Sequence, residues 1–141
     1  MTNKFMKQIS IILMAVGALM FVAGSGTYAL VSSQLKAERI TVSDDSNRFA
    51  GDAVAGPFTA YQEAVMIEKH ALAATGNKTY AELDREDPLR SVAMNGSFLR
   101  ASLFTSVVAF GVSALVIASG LMFILLGGAL RRVSNNSLVN A

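Results

Sequence analysis

At 141 residues and a net charge of +2, the chain is too weakly basic to imply nucleic acid as a partner, and no Lys/Arg cluster resembles a binding patch. It has no Cys, which excludes disulfides, thiolate metal sites, iron–sulfur clusters and thioether haem links, and its single histidine, His70, restricts histidine chemistry severely. Hydrophobic residues make up 52% of the chain and gather in two blocks, one toward each end, so it reads as a membrane protein of the mainly α class.

The first block carries no charge from Gln8 to Leu35, and its apolar part runs from Ile9 to Val31 behind Lys4 and Lys7. A signal peptide has an apolar core of about 7–15 residues. This one exceeds twenty, and the small residues Gly24 to Ala29 make only a weak cleavage site, so length favours a retained transmembrane helix over 9–31. Ser32 to Ile40 is expected to continue that helix. The second block, Ala101–Leu130, holds thirty residues without a charge between Arg100 and the pair Arg131–Arg132. A bilayer core needs roughly 20 apolar residues in helix, and the excess allows tilt or an end among the headgroups.

The expected architecture is a two-span transmembrane helical hairpin with a partly helical extracytoplasmic loop. Its segments are a cytoplasmic N-terminus (1–8), a span (9–31), the external loop (32–100), a span (101–130) and a cytoplasmic tail (131–141). All ten acidic residues and eight of the twelve Lys and Arg fall between Lys36 and Arg100, whereas Lys4, Lys7, Arg131 and Arg132 lie at the ends with no acid beside them. The positive-inside rule then places both termini in the cytoplasm of a multi-pass cell-membrane protein.

Within the loop, Ile40–Val42 suggests a short strand and Ser43–Asn47 a turn, followed by a small, flexible Gly51–Gly56. Pro57 stands where a helix accepts its first residue, and Phe58–Ala74 continues without a breaker to a stop at Gly76–Asn77. Phe58, Tyr61, Val65 and Leu72 fall at helical spacing and form a candidate partner-contact face. Thr79 and Glu82 fit a capping box, predicting a short helix to Asp87. Asp87–Pro88 opens a further helix that runs through Gly96 into the second span.

Small residues recur every seven positions in both spans: Ser10, Gly17 and Gly24 in the first, Ser106, Ser113, Gly120 and Gly127 in the second. That period keeps one stripe toward a partner helix, and small residues on it let backbones approach closely. Two readings follow. The spans pack on each other along these helix-packing seams, or one seam packs on a helix of another protein. Neither span contains Asp, Glu, His, Lys or Arg, so a transporter or pump, which needs such groups at membrane depth, is not indicated.

In the loop, Glu63 and His70 share a helical face, which permits a metal site, although a solvated face is the commoner outcome for a lone His beside carboxylates. The charged run Glu82–Asp87 reads as a solvent face, or as a docking patch for a basic partner. The sequence shows no catalytic set and no cofactor-binding motif, and the solvated-face reading of Glu63 and His70 is taken over the metal one, so the expectation is no enzyme, no metal and no cofactor.

Several strings carry a resemblance: Arg48–Asp52, Gly56–Tyr61, Lys69–Leu72, Lys78–Asp84 and Ser97–Leu103. Over about residues 45–130 the chain resembles a family of small actinobacterial membrane proteins. Members of this kind often carry a label as aromatic ring-opening dioxygenases. Non-haem iron oxygenases built on a facial triad need two His and a carboxylate, and one His cannot supply them. Some such proteins are similar to accessory subunits of the actinobacterial respiratory supercomplex, which joins a cytochrome bcc complex to a terminal oxidase. The resemblance implies a non-catalytic accessory subunit of the respiratory chain, in the lipid bilayer, contacting larger membrane subunits of the bcc complex or the oxidase. A membrane-anchored cell-envelope sensor or binding module is the alternative.

Overall fold

The computed structural model describes residues 2–139; Met1, Asn140 and Ala141, at the outer ends of the expected cytoplasmic segments, lie outside the described residues. Among the described residues there are three helices in chain order: α1 (Thr2–Ala37), α2 (Pro57–Ala74) and α3 (Arg90–Val139). The protein is mainly α, and α1 and α3 are each long and apolar enough to cross a membrane. The described residues form two compact units. One joins α1 up to Ala29 with α3 from Val112 onward, and the other comprises residues 30–111.

The first unit is an antiparallel pair of apolar helix segments. The second is a lobe with its own core. Leu35 enters that core from α1, Val42 and Val54 from the connecting loop, Ala60 and Ala64 from α2, and Leu103 and Phe110 from α3. Val31, Ile40, Ile67, Phe104 and Val107 pack around them. The uncharged run that begins at Ala101 therefore has two roles. Its first part, through the almost completely buried Phe110, belongs to the core of the lobe. Twenty residues remain from Gly111 to Leu130. At about 1.5 Å per residue they make about 30 Å of helix, the thickness of a bilayer's hydrocarbon core.

The loop departs from the sequence expectation in two places. Ile40–Val42 is not a strand; among the described residues the sole β pairing is the isolated bridge between Thr41 and Ala53. The chain instead leaves α1 through Arg39 in the left-handed region (φ 54°) and folds into a narrow hairpin-like loop. Val42 N–H donates to the Asp52 carbonyl, Gly51 N–H to Val42 and Val54 N–H to Ile40, each at 2.9 Å. Gly51 (φ 76°) supplies the reversal at no steric cost, so the stretch expected to be flexible is tied down by backbone hydrogen bonds.

The second departure is at residues 79–87, where turns replace the expected short helix. Half of the capping box forms, with Glu82 accepting from the Thr79 N–H at 2.8 Å. The Thr79 hydroxyl, however, donates to the same carboxylate oxygen at 2.9 Å rather than accepting an amide. Leu83 is drawn into the lobe and is buried, and its carbonyl accepts from the Arg90 guanidinium at 2.7 Å. That guanidinium also lies 4.0 Å from the Tyr80 ring centroid, a cation–π contact.

The long helices of the lobe have conventional ends. The Thr59 hydroxyl accepts the Ala55 and Gly56 amides at 3.2 Å ahead of α2. Asn77 N–H closes its far end on the Leu72 carbonyl at 2.7 Å, with Gly76 and Asn77 both left-handed. The Asp87 carboxylate accepts the Leu89 amide at 2.8 Å just before α3. Gly96 lies where α2 and α3 press together, and a Cβ there would stand 2.6 Å from that of Ala71.

Candidate interaction surfaces

The seam in the helix pair is built from missing side chains. A Cβ on Gly17 would stand 2.5 Å from the Gly120 carbonyl oxygen, and one on Gly120 2.6 Å from that of Gly17. One step of seven along α1, a Cβ on Gly24 would meet the Ser113 carbonyl at 3.0 Å; one step the other way, a Cβ on Gly127 would meet the Ser10 carbonyl at 2.7 Å. Ser10, Ser113 and also Ser134, one further step along α3, are buried. The Ser10 hydroxyl is satisfied within its own helix, donating to the Lys7 carbonyl at 2.8 Å. Backbone thus lies against backbone over three successive levels. Ser106 belongs to the lobe instead, half-buried where Leu30, Val31 and Gln34 of α1 face Ser102 and Ala109 of α3.

In the lobe, α2 holds the loop by polar contacts. Glu63 is buried, and its carboxylate accepts the Ser43 amide at 2.8 Å and the Ser43 hydroxyl at 3.2 and 3.3 Å. Two turns along, Lys69 Nζ lies 2.8 Å from Asp45 Oδ2, and His70 Nε2 lies 3.1 Å from both Asp45 oxygens. The Lys69 ammonium, and after it the His70 ring, hold the Asp45 carboxyl down at about 2 from its ordinary 3.8. Thr79's amide and hydroxyl likewise lower Glu82. Glu63 and His70 thus do not converge on a common centre, each being engaged by a different loop residue. Among the described residues no three His, Asp or Glu side chains gather as a metal site. Arg100 pairs with Glu68 at 3.0 Å and lies 5.2 Å from the Phe104 ring centroid.

The four residues of the expected contact face divide. Phe58 is 75% exposed and Tyr61 51%, whereas Val65 and Leu72 are half-buried. The side of α2 turned to the core carries small residues, Ala60 and Ala64, so the large rings are left outside. Tyr61 packs edge-to-face on Phe104, with centroids 5.8 Å apart. Phe58 and Tyr61, with Arg48, Phe49, Gln62 and Val107, line an open groove. A second exposed apolar patch is on the first turns of α3: Met94, Phe98 (74% exposed) and Leu99. Sequence reasoning missed this patch. The available signal was a large aromatic at Phe98 before the uncharged run begins, in a helix segment bounded by the charged Arg90 and Arg100.

The chain matches no protein-family model, no curated protein and no solved structure.

Proposed function

We propose that this chain is a non-catalytic accessory subunit of an actinobacterial respiratory assembly of the cytochrome bcc–oxidase type. In this reading it crosses the cell membrane twice, with both termini in the cytoplasm and the lobe outside, and it docks on larger subunits. The family resemblance supplies the assembly, and the patch Met94–Phe98–Leu99 supplies the physical argument. Phe98 stands thirteen residues before Gly111. Along a helix that is about 20 Å above the edge of the hydrocarbon core, well past a headgroup layer of roughly 5–7 Å. Lipid does not reach it, and the core of the lobe does not cover it. An uncovered aromatic patch in water is the mark of a protein contact.

The test is to purify the terminal oxidase in mild detergent from cells expressing a tagged copy of this chain. Wild-type chain co-purifies, and Phe98→Ser is lost from the complex while still inserting in the membrane. If the wild type never co-purifies, the subunit reading is wrong.

One observation favours the alternative, a cell-envelope sensor. Between α2 and α3 there is a small cleft lined by Glu68, Thr75, Lys78, Tyr80 and Arg100, and the buried Arg100 Nε has no hydrogen-bond partner among the described residues. The cleft's volume is about 80 Å³, below the roughly 300–1,000 Å³ of ordinary ligand pockets, so the subunit reading is preferred. Calorimetric titration of the detergent-purified chain with small carboxylates separates the two; saturable heats abolished by Arg100→Leu would favour the sensor.

A further inference from the structure

The aromatic groove of the lobe differs from the Phe98 patch in one respect that decides what covers it: its height along α3. We propose that Phe49, Phe58 and Tyr61 form an interfacial anchor, seated in the headgroup layer of the same bilayer that α1 and α3 cross. The inference rests on the two-span reading and is independent of the identity of any partner subunit.

The placement follows from the helix ladder. α2 runs antiparallel to α3 within the lobe: Ala71 meets Gly96, Glu68 pairs with Arg100, and Tyr61 packs on Phe104. The N-terminal turn of α2, carrying Phe58, is therefore the part nearest the apolar end of α3, and it shares the groove with Val107. Counting from Arg131 and Arg132, twenty residues of span end at Gly111. Val107 lies four residues beyond that, about 6 Å along the helix. That distance falls within the headgroup layer, where amphipathic aromatic rings settle and an apolar face can sink about 5–10 Å toward the acyl boundary.

The groove's chemistry suits that layer. Two phenyl rings and a phenol supply apolar body with one hydroxyl to hydrate. Arg48 lines the same groove and can meet a lipid phosphate with a charge-assisted hydrogen bond. A sealed protein interface at this spot would instead have to accommodate the headgroups that surround the span.

The chain has no Trp, so a single introduced Trp reports one place without background. The full chain is reconstituted in lipid nanodiscs of phosphatidylethanolamine and phosphatidylglycerol as three variants: Phe58→Trp, Phe98→Trp and Leu19→Trp, the last being an exposed residue of the first span. Quenching is then read with iodide and with lipids brominated at shallow or deep acyl positions. The expected result is that Phe58→Trp is quenched by shallow bromines and several-fold less by iodide than Phe98→Trp, while Leu19→Trp answers to deep bromines. Phe49→Trp reads a second residue of the groove and gives the same pattern.

Equal iodide quenching at positions 58 and 98 overturns the proposal while the deep signal at position 19 keeps the spans. If position 19 also ignores the brominated lipids, the two-span reading falls with it. If position 58 becomes shielded only in membranes that contain the respiratory complex, and not in pure lipid, the groove docks protein and the proposal is wrong.

Discussion

The two units of this chain cohere by opposite means. In the helix pair, contact is closest where side chains are absent: Gly17 on Gly120, Gly24 by Ser113, Gly127 by Ser10. In the lobe, contact is made by filling space with Val42, Val54, Leu103 and Phe110, and by ion and hydrogen bonds from α2 to the loop. On the two-span reading the difference is one of solvent. Lipid tails are as apolar as Leu, so burying a large side chain gains little there, and close backbone approach becomes the source of attraction. In water, burial of apolar area contributes roughly 25 cal/mol per Å². One helix, α3, obeys both rules in turn, with Phe110 near the changeover.

The comparison breaks most visibly at Phe110. Phe110→Ala should cost about 3–5 kcal/mol, the range for emptying an aromatic site in a packed core. Hydrogen exchange of the full chain in detergent should show α2 amides losing protection. If those amides are unchanged, Phe110 does not hold the lobe together.

Gly17→Ala tests the other unit with the smallest possible addition. Its Cβ would lie 2.5 Å from a backbone oxygen and 2.8 Å from the Ile124 nitrogen, neither of which can swing aside. The backbones must separate, at roughly 1–3 kcal/mol. Gly26→Ala is the matched control, since nothing lies within 4 Å of its added methyl. Unfolding by SDS in mixed micelles should show a lower midpoint for Gly17→Ala and no loss for Gly26→Ala. Equal effects at both positions would remove the seam from the account.

An effect of similar size is expected where the lobe uses polarity. Glu63→Ala leaves the Ser43 amide without its acceptor in a buried place, at about 1–3 kcal/mol. Glu63→Gln keeps an acceptor oxygen and should lose less. Exchange of the Ser43 amide reads both, and identical rates in the two variants would show that the carboxylate is not what holds the loop.

How far the sequence carries this architecture depends on how local the determining physics is. Charge-free length reveals the two long apolar helices, and Pro57 with Gly76–Asn77 marks the ends of α2, because termination chemistry acts within a turn. The seven-residue spacing in the helix pair picks out residues that the structure places at close approach, since a repeated small residue has few other uses on a helix. The loop is less legible. The left-handed turns at Arg39 and Phe49 fall on residue types that do not favour that conformation, so they leave no mark in the sequence. The Thr79–Glu82 pair reads as a helix start, yet Leu83 is pulled inward and Arg90 takes its carbonyl, so tertiary contacts override the local signal. The outward turn of Phe58 and Tyr61 is hidden for a related reason: α2 has two apolar faces, and spacing does not say that the Ala60–Ala64 face is the one that fits the core.

The smallest effect should come from the exposed cluster at Asp45, and its sign is fixed by the lowered carboxyl. Because Asp45 titrates at about 2 in the folded lobe against 3.8 ordinarily, the folded state holds the charged form more tightly than the unfolded chain does. Its contribution is therefore complete above pH about 4 and is lost as pH falls through the folded value near 2. Lys69 is the larger cause and His70 the second, so the window is set on the acid side by the carboxylate rather than by the ring. With all three side chains about half exposed, salt and water screen the cluster heavily. Asp45→Asn should leave stability near neutral pH almost unchanged and flatten part of the decline below pH 4. The Glu82 carboxylate, also lowered by Thr79, acts in the same direction and is untouched by that substitution. The carboxyl carbon shift of Asp45, followed by NMR in detergent, should move with a midpoint near 2. A midpoint at the ordinary carboxylate value would mean that the Lys69–His70 clasp does not hold Asp45 in solution, leaving Glu63 as the contact that keeps the loop on α2.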